Sequence, residues 1–196
     1  MNETSKRQID FIKEVDKIKS IYRKTIIVDG SKYENDAEHS WHVALAAIVL
    51  KEYVDDKELN IEKVLKMSLI HDMIEIDAGD TFAYGNMEPS EKYKKEKQAA
   101  IRIFSILPEI QRDEFISLWE EFEQGISNDA RYANALDGLL PILHAYYTKG
   151  LQWKRLGITS EKILSKNSKI EKVSKTLWEC IKYIIEDSVE KDYLNN

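Results

Sequence analysis

Four residues of metal-ligand type occur in the order His39, the adjacent pair His71-Asp72, and Asp137, each in a stretch with helical hydrophobic spacing. A fold for this chain therefore has to bring three separate helices to one point. Two imidazoles and two carboxylates suit a borderline divalent ion with coordination positions left open to water, the arrangement a metal-assisted hydrolase needs.

The local patterns sharpen this reading. Around His39 the chain reads NDAEHSWHVALAAIVL, a polar lead-in to an apolar run, which puts His39 near a helix start. Around His71, Asn60 is a candidate N-cap, Val64, Leu65, Leu69 and Ile70 form a core stripe, and Gly79 supplies a stop, so His71 and Asp72 fall late on a buried helix. A carboxylate among Leu69, Ile70, Met73 and Ile74 is costly to bury without a cation. Taken alone, a His-Asp dipeptide reads as a core histidine beside an exposed aspartate. The upstream EHSWH and downstream ANALDGLLPILHAYY segments favour a metal centre instead.

With 196 residues, 7 Gly and 3 Pro, the chain reads as a single, mostly helical domain spanning 1–196. A net charge of −6 disfavours a surface that tracks polymeric nucleic acid. Neither a run of about 18 apolar residues nor a signal-peptide pattern occurs, so the expectation is a soluble cytoplasmic protein with no membrane partner. The single cysteine, Cys180, reads as an inert core thiol. The expected helices run about 5–27 (with Ile9, Ile12, Val15, Ile18 and Tyr22 as the apolar face), from the His39 region to about 55, 60–78, 90–106, 108–124, 128–149, 160–166 and 168–193. A substrate-facing loop is expected over 78–90. EKYKKEKQ at 91–98 reads as a solvated helix face. The tryptophans Trp41, Trp119, Trp153 and Trp178 read as core or interface residues.

EHSWHVAL around His39, HDMIEIDAGD over 71–80, LWEEFE over 118–123 and ARYANALDGLLPIL around Asp137 resemble the HD-domain metal-dependent phosphohydrolases, most closely the YfbR-like 5′-deoxynucleotidases. The resemblance covers about residues 15–150. It implies an all-α HD-domain helical bundle, here with an extra C-terminal helix over about 151–196. It also implies a homodimer and a metal held by His39, His71, Asp72 and Asp137. HD proteins that hold two metals use further histidines between the His-Asp pair and the last Asp; none occurs here, so one divalent ion per chain is expected. Imidazole ligands favour Mn²⁺, Co²⁺, Fe²⁺ or Zn²⁺, with Mg²⁺ as a further candidate. The remaining histidines, His42 and His144, read as supporting or core residues.

Glu75 follows Asp72 by three residues and shares its face, whereas Asp77 is rotated about 200° from Glu75 at 3.6 residues per turn. Asp80 lies beyond the Gly79 break. The family pattern HDxxExxxxD assigns the non-ligand catalytic carboxylates to Glu75 and Asp80. A phosphate ester also needs a cation for its non-reacting oxygens. The resemblance gives that role to Arg23, with Lys24 standing where the family often has Trp, and Lys32 is a second candidate. The expected activity is removal of phosphate from a small nucleotide, a (deoxy)ribonucleoside 5′-monophosphate above all. A hydrolase of another phosphate ester or of a pyrophosphate, and a non-catalytic metal-holding nucleotide sensor, are the alternatives.

Overall fold

The computed structural model describes residues 1–56, 58–80 and 88–196. Its first helix, α1 (Glu3–Val15), is N-capped by the Asn2 side chain and tightens into a 3₁₀ turn over Asp16–Ser20. It does not reach residue 27. Thr25, Ile26, Ile27 and Val28 are β-branched, and the chain instead forms β1 (Tyr22–Ile26), paired antiparallel with β2 (Tyr33–Asn35). The expected apolar face is also corrected: Phe11 and Ile18 point inward, while Ile9, Ile12 and Tyr22 are exposed. Much of the anchoring of α1 is polar, because Arg7 donates to the carbonyls of Ser105, Ile106 and Leu107 at 2.5–3.0 Å.

Three helices build the centre. α2 (Asp36–Val49) starts with a full capping box, in which Asn35 accepts from the Glu38 amide and Glu38 reaches back to the Asn35 amide. α3 (Ile61–Ile70) is capped by Asn60, as its sequence suggests. α7 (Asn128–Tyr147) is capped by Ser127. These three pack on one another through Val43, Ala47, Val64, Met67, Leu136 and Leu140, all at most 2% exposed. Removing such a side chain costs about 2–5 kcal/mol. α4 (Glu75–Ala78) ends at Gly79, whose φ of 72° favours glycine. α6 (Glu109–Gln124) then covers α3 and α7, and α5 (Pro89–Phe104) packs on α6 and α4.

The C-terminal part contains α8 (Leu151–Leu156), which the sequence reading missed, α9 (Ser160–Asn167) and α10 (Lys175–Glu190). Leu177, Trp178, Ile181 and Ile185 face α7, α9 and the 3₁₀ turn at Ser168–Lys172. Cys180 falls off that face and is exposed, which corrects the core reading. Trp119, Trp153 and Trp178 are buried, whereas Trp41 is exposed. No helix among the described residues is long and apolar enough to cross a membrane.

Gly150 locks the C-terminal tail. It has φ 72°, and a Cβ there would lie 1.8 Å from the Tyr193 carbonyl oxygen. Gly150→Ala is therefore expected to lower stability by about 2–4 kcal/mol, combining left-handed strain with backbone overlap. A denaturant titration checks this; an unchanged midpoint would mean that the tail docks elsewhere.

Candidate metal centre

The proposed ligands come from α2, from α7 and from the turn that follows α3. His39 lies in the first turns of α2 and is fully buried. Asp137 is midway along α7, four residues before Pro141, whose missing N–H leaves the Asp137 carbonyl without its helical donor. His71 and Asp72 lie just past α3, on a 3₁₀ turn over His71–Ile74, not on the α-helix itself. That difference has a consequence: in a 3₁₀ turn residues i and i+3 eclipse, which sets Glu75 directly beyond Asp72.

The donor atoms converge. His39 Nε2 lies 2.9 Å from Asp137 Oδ1, and His71 Nε2 lies 3.3 Å from Asp72 Oδ2 and 3.9 Å from Asp137 Oδ1. One ligand atom each from His39, His71 and Asp72 lies within 4.8 Å of the other two. Both imidazoles are oriented from behind. His71 Nδ1 donates to the Ser68 carbonyl at 2.9 Å, which leaves the Nε2 lone pair facing the centre. Glu34 Oε2 lies 3.3 Å from His39 Nδ1. A carboxylate or carbonyl behind a ligating histidine fixes its tautomer and raises its basicity.

Arg23, reaching in from β1, fills the middle of the acidic cluster. Its Nη1 is 2.5 Å from Asp72 and 3.4 Å from Asp36, its Nη2 is 3.8 Å from Asp137, and its buried Nε has no hydrogen-bond partner among the described residues. Burial works against the Arg23 charge, yet Asp72, Asp137, Glu75 and Asp36 hold it above the ordinary guanidinium range. Burial, then the charges of Asp72 and Asp36, push the Glu75 carboxyl far up. Asp80 is raised by burial and lies in the fields of Arg23, Asp72, Lys24 and His39. Asp137 goes the opposite way: burial opposes its charge, but the two imidazoles keep it well below the usual carboxylate range.

Seven of the eight residues singled out from the sequence thus gather here: His39, His71, Asp72, Asp137, Glu75, Asp80 and Arg23. Lys32 does not. It lies in the exposed turn between β1 and β2, where its ammonium pairs with Glu38. Asp77 faces away, as its rotation requires, and accepts two bonds at 2.6 Å from Arg102. Residues 81–87 of the expected substrate-facing loop lie outside the described residues.

The sequence reading missed four carboxylates. Glu34 and Asp36, 2% and 0% exposed, are recognisable only once β2 is known to pair with β1. Glu96 and Glu123 form a further wall, with Glu123 pushed up to about 7 by burial and by the Glu96 charge. The EKYKKEKQ face is accordingly not wholly solvated: Glu96 is buried against Lys92 at 3.2 Å, and Lys95 donates to the Ala78 carbonyl at 2.6 Å.

A divalent cation fits this donor set. His71 Nε2 is buried and has no hydrogen-bond partner among the described residues, although its Nδ1 is satisfied and two carboxylates face it. An unpaired buried nitrogen costs about 1–3 kcal/mol unless something binds it.

Known proteins resemble this chain in sequence and in fold. A crystal structure described as a predicted metal-dependent phosphohydrolase from Magnetospirillum magnetotacticum superposes with a TM-score of 0.94 at 42% identity, covering 98% of this chain and 96% of that one. The Homo sapiens 5′-deoxynucleotidase HDDC2 is 31% identical over 148 residues, 76% of this chain and 68% of the relative. A 5′-deoxynucleotidase of Vibrio atlanticus is 34% identical over 116 residues, 56% and 59% of the two chains. The HD domain family matches residues 15–178, which span all four candidate ligands and the helices that carry them, and the chain belongs to that family.

Proposed function

We propose that this chain is a metal-dependent phosphohydrolase that removes phosphate from a nucleoside 5′-monophosphate, with His39, His71, Asp72 and Asp137 holding one divalent ion. The observation that carries the reading is the unsatisfied, buried His71 Nε2 facing Asp72 and Asp137. The names of the relatives support the substrate class. Mn²⁺, Co²⁺, Fe²⁺ or Zn²⁺ suits the two imidazoles, with Mg²⁺ a further candidate. Once bound, such an ion activates water and polarises a phosphoryl oxygen.

The chain's own residues do the rest. Glu75 and Asp80 orient the attacking water, take its proton and return one to the leaving 5′-oxygen. Glu75 is suited to holding a proton, since burial first and then its neighbours Asp72 and Asp36 disfavour its charge. Arg23 binds the non-reacting phosphate oxygens; its Nε makes no hydrogen bond among the described residues, with Glu34 Oε2 3.8 Å away, and is available to such an oxygen. Beyond Arg23, an open groove lined by Tyr22, Lys24, Tyr33 and Arg155 gives the nucleoside a mixed aromatic and polar surface. Residues 1–196 act as one cytoplasmic domain in a homodimer; Trp41, Leu45, Ile48 and Val49 form an exposed apolar stripe on α2 suited to self-association.

Arg23→Ala is expected to keep its metal and to lose ~2–4 kcal/mol in kcat/KM, the scale of a charge-assisted phosphate contact. Unchanged kinetics would remove Arg23 from the phosphate site. Phosphate release across ribo- and deoxyribonucleoside monophosphates, with Mn²⁺, Co²⁺ and Mg²⁺ in turn, tests the activity itself. Absence of turnover with every member would favour a nucleotide-binding role over an enzyme.

A further inference from the structure

We infer that Glu34, His42 and His144 form a second cation site, separate from the catalytic centre, that takes a borderline divalent ion such as Zn²⁺. Three elements supply it: Glu34 comes from β2, His42 from α2 and His144 from α7. Glu34 Oε1 is 3.8 Å from His144 Nδ1, the His42 and His144 rings are 5.4 Å apart between centroids, and one ligand atom from each residue lies within 4.8 Å of the others. Donors around a tetrahedral zinc lie roughly 3.3 Å apart, so closure needs only a small contraction.

Burial indicates a ligand more than a packing accident. Glu34 and His144 are 2% and 3% exposed, and His144 Nδ1, which faces the Glu34 carboxylate, has no hydrogen-bond partner among the described residues. Two imidazoles and a carboxylate leave one position for water, and His42 is the half-buried member of the set. The site is weaker than the catalytic one, with three protein donors against four. It is also linked to it, because Glu34 presents Oε1 to His144 and Oε2 to His39 Nδ1. An ion on Glu34 would draw charge from the carboxylate that supports His39, which makes this site a point of metal-dependent control.

The inference does not depend on the proposed activity, because it is tested by metal content without substrate. Full-length protein would be dialysed to equilibrium against Zn²⁺, and bound zinc per chain measured by elemental analysis. The unsubstituted chain is expected to hold one more zinc ion than His42→Ala, while His71→Ala keeps the ion that His42→Ala loses. His42→Gln, which preserves polarity and approximate volume at a half-exposed position, should lose the same ion. Equal zinc content in the unsubstituted chain and both His42 variants would overturn the second site, as would loss of both ions from His71→Ala alone.

Discussion

His71→Ala and Asp72→Asn are expected to purify with almost no metal at the catalytic centre and to lose phosphohydrolase activity by more than ~10², beyond the 10–100-fold typical of residues that merely support a ligand. The two substitutions act differently. His71 has only Nε2 to give, since Nδ1 is committed to the Ser68 carbonyl, so alanine deletes a donor outright. It also opens a cavity beside Phe122, whose ring centroid is 4.8 Å away, and a moderate drop in stability should accompany the loss. Asp72→Asn keeps shape and volume but removes the charge that holds Arg23 at 2.5 Å. Asp72→Asn therefore separates metal loss from packing damage. Elemental analysis with a melting curve reads both. If Asp72→Asn retained its full complement of metal, Asp72 would be an Arg23 partner alone and the ligand set would need another carboxylate, for which Asp36 at 3.4 Å from the same guanidinium is the nearest candidate.

How much of this was legible in the sequence depended on whether a residue's role is set locally. Caps were: Asn60 and Gly79 do what their local chemistry prescribes, and the apolar stripe of α3 follows from its periodicity. The candidate ligands stood out because their residue types are costly to bury without a partner. What failed was long-range. Helical periodicity carries the expected first helix through Thr25–Ile27, where β-branched residues favour a strand, and so hides the hairpin. Without the hairpin, Glu34 and Asp36 read as part of a polar loop, although they are among the most buried charges in the protein. The 3₁₀ winding after Ile70 was likewise invisible to a 3.6-residue count, yet it decides where Glu75 points. Lys32 failed for the complementary reason: a cation near the right segment was assigned to the site, but the turn carries it outward to Glu38.

Glu75→Ala and Asp80→Ala should each keep the metal and the fold while kcat falls by at least ~10², the usual scale for a general acid–base group. The geometry gives them different weights. Glu75 is 7% exposed and eclipses Asp72 across the 3₁₀ turn, so its carboxyl is crowded by negative charge and is the better proton carrier. Asp80 is less buried, follows the positive-φ Gly79 and lies within the field of Arg23. Substrate should still bind both variants, because neither residue is the proposed phosphate contact. If the two act on one water, the double substitution should cost far less than the product of the single losses, as residues working as a unit do. Multiplicative losses would mean two independent steps, with one carboxylate activating water and the other serving only the leaving oxygen. Loss of metal from either single variant would move that residue into the ligand shell. Full turnover with metal retained would reduce the pair to helix-end residues and return the search for the proton carrier to Asp36, Glu96 and Glu123, the other carboxylates raised by burial near Asp72.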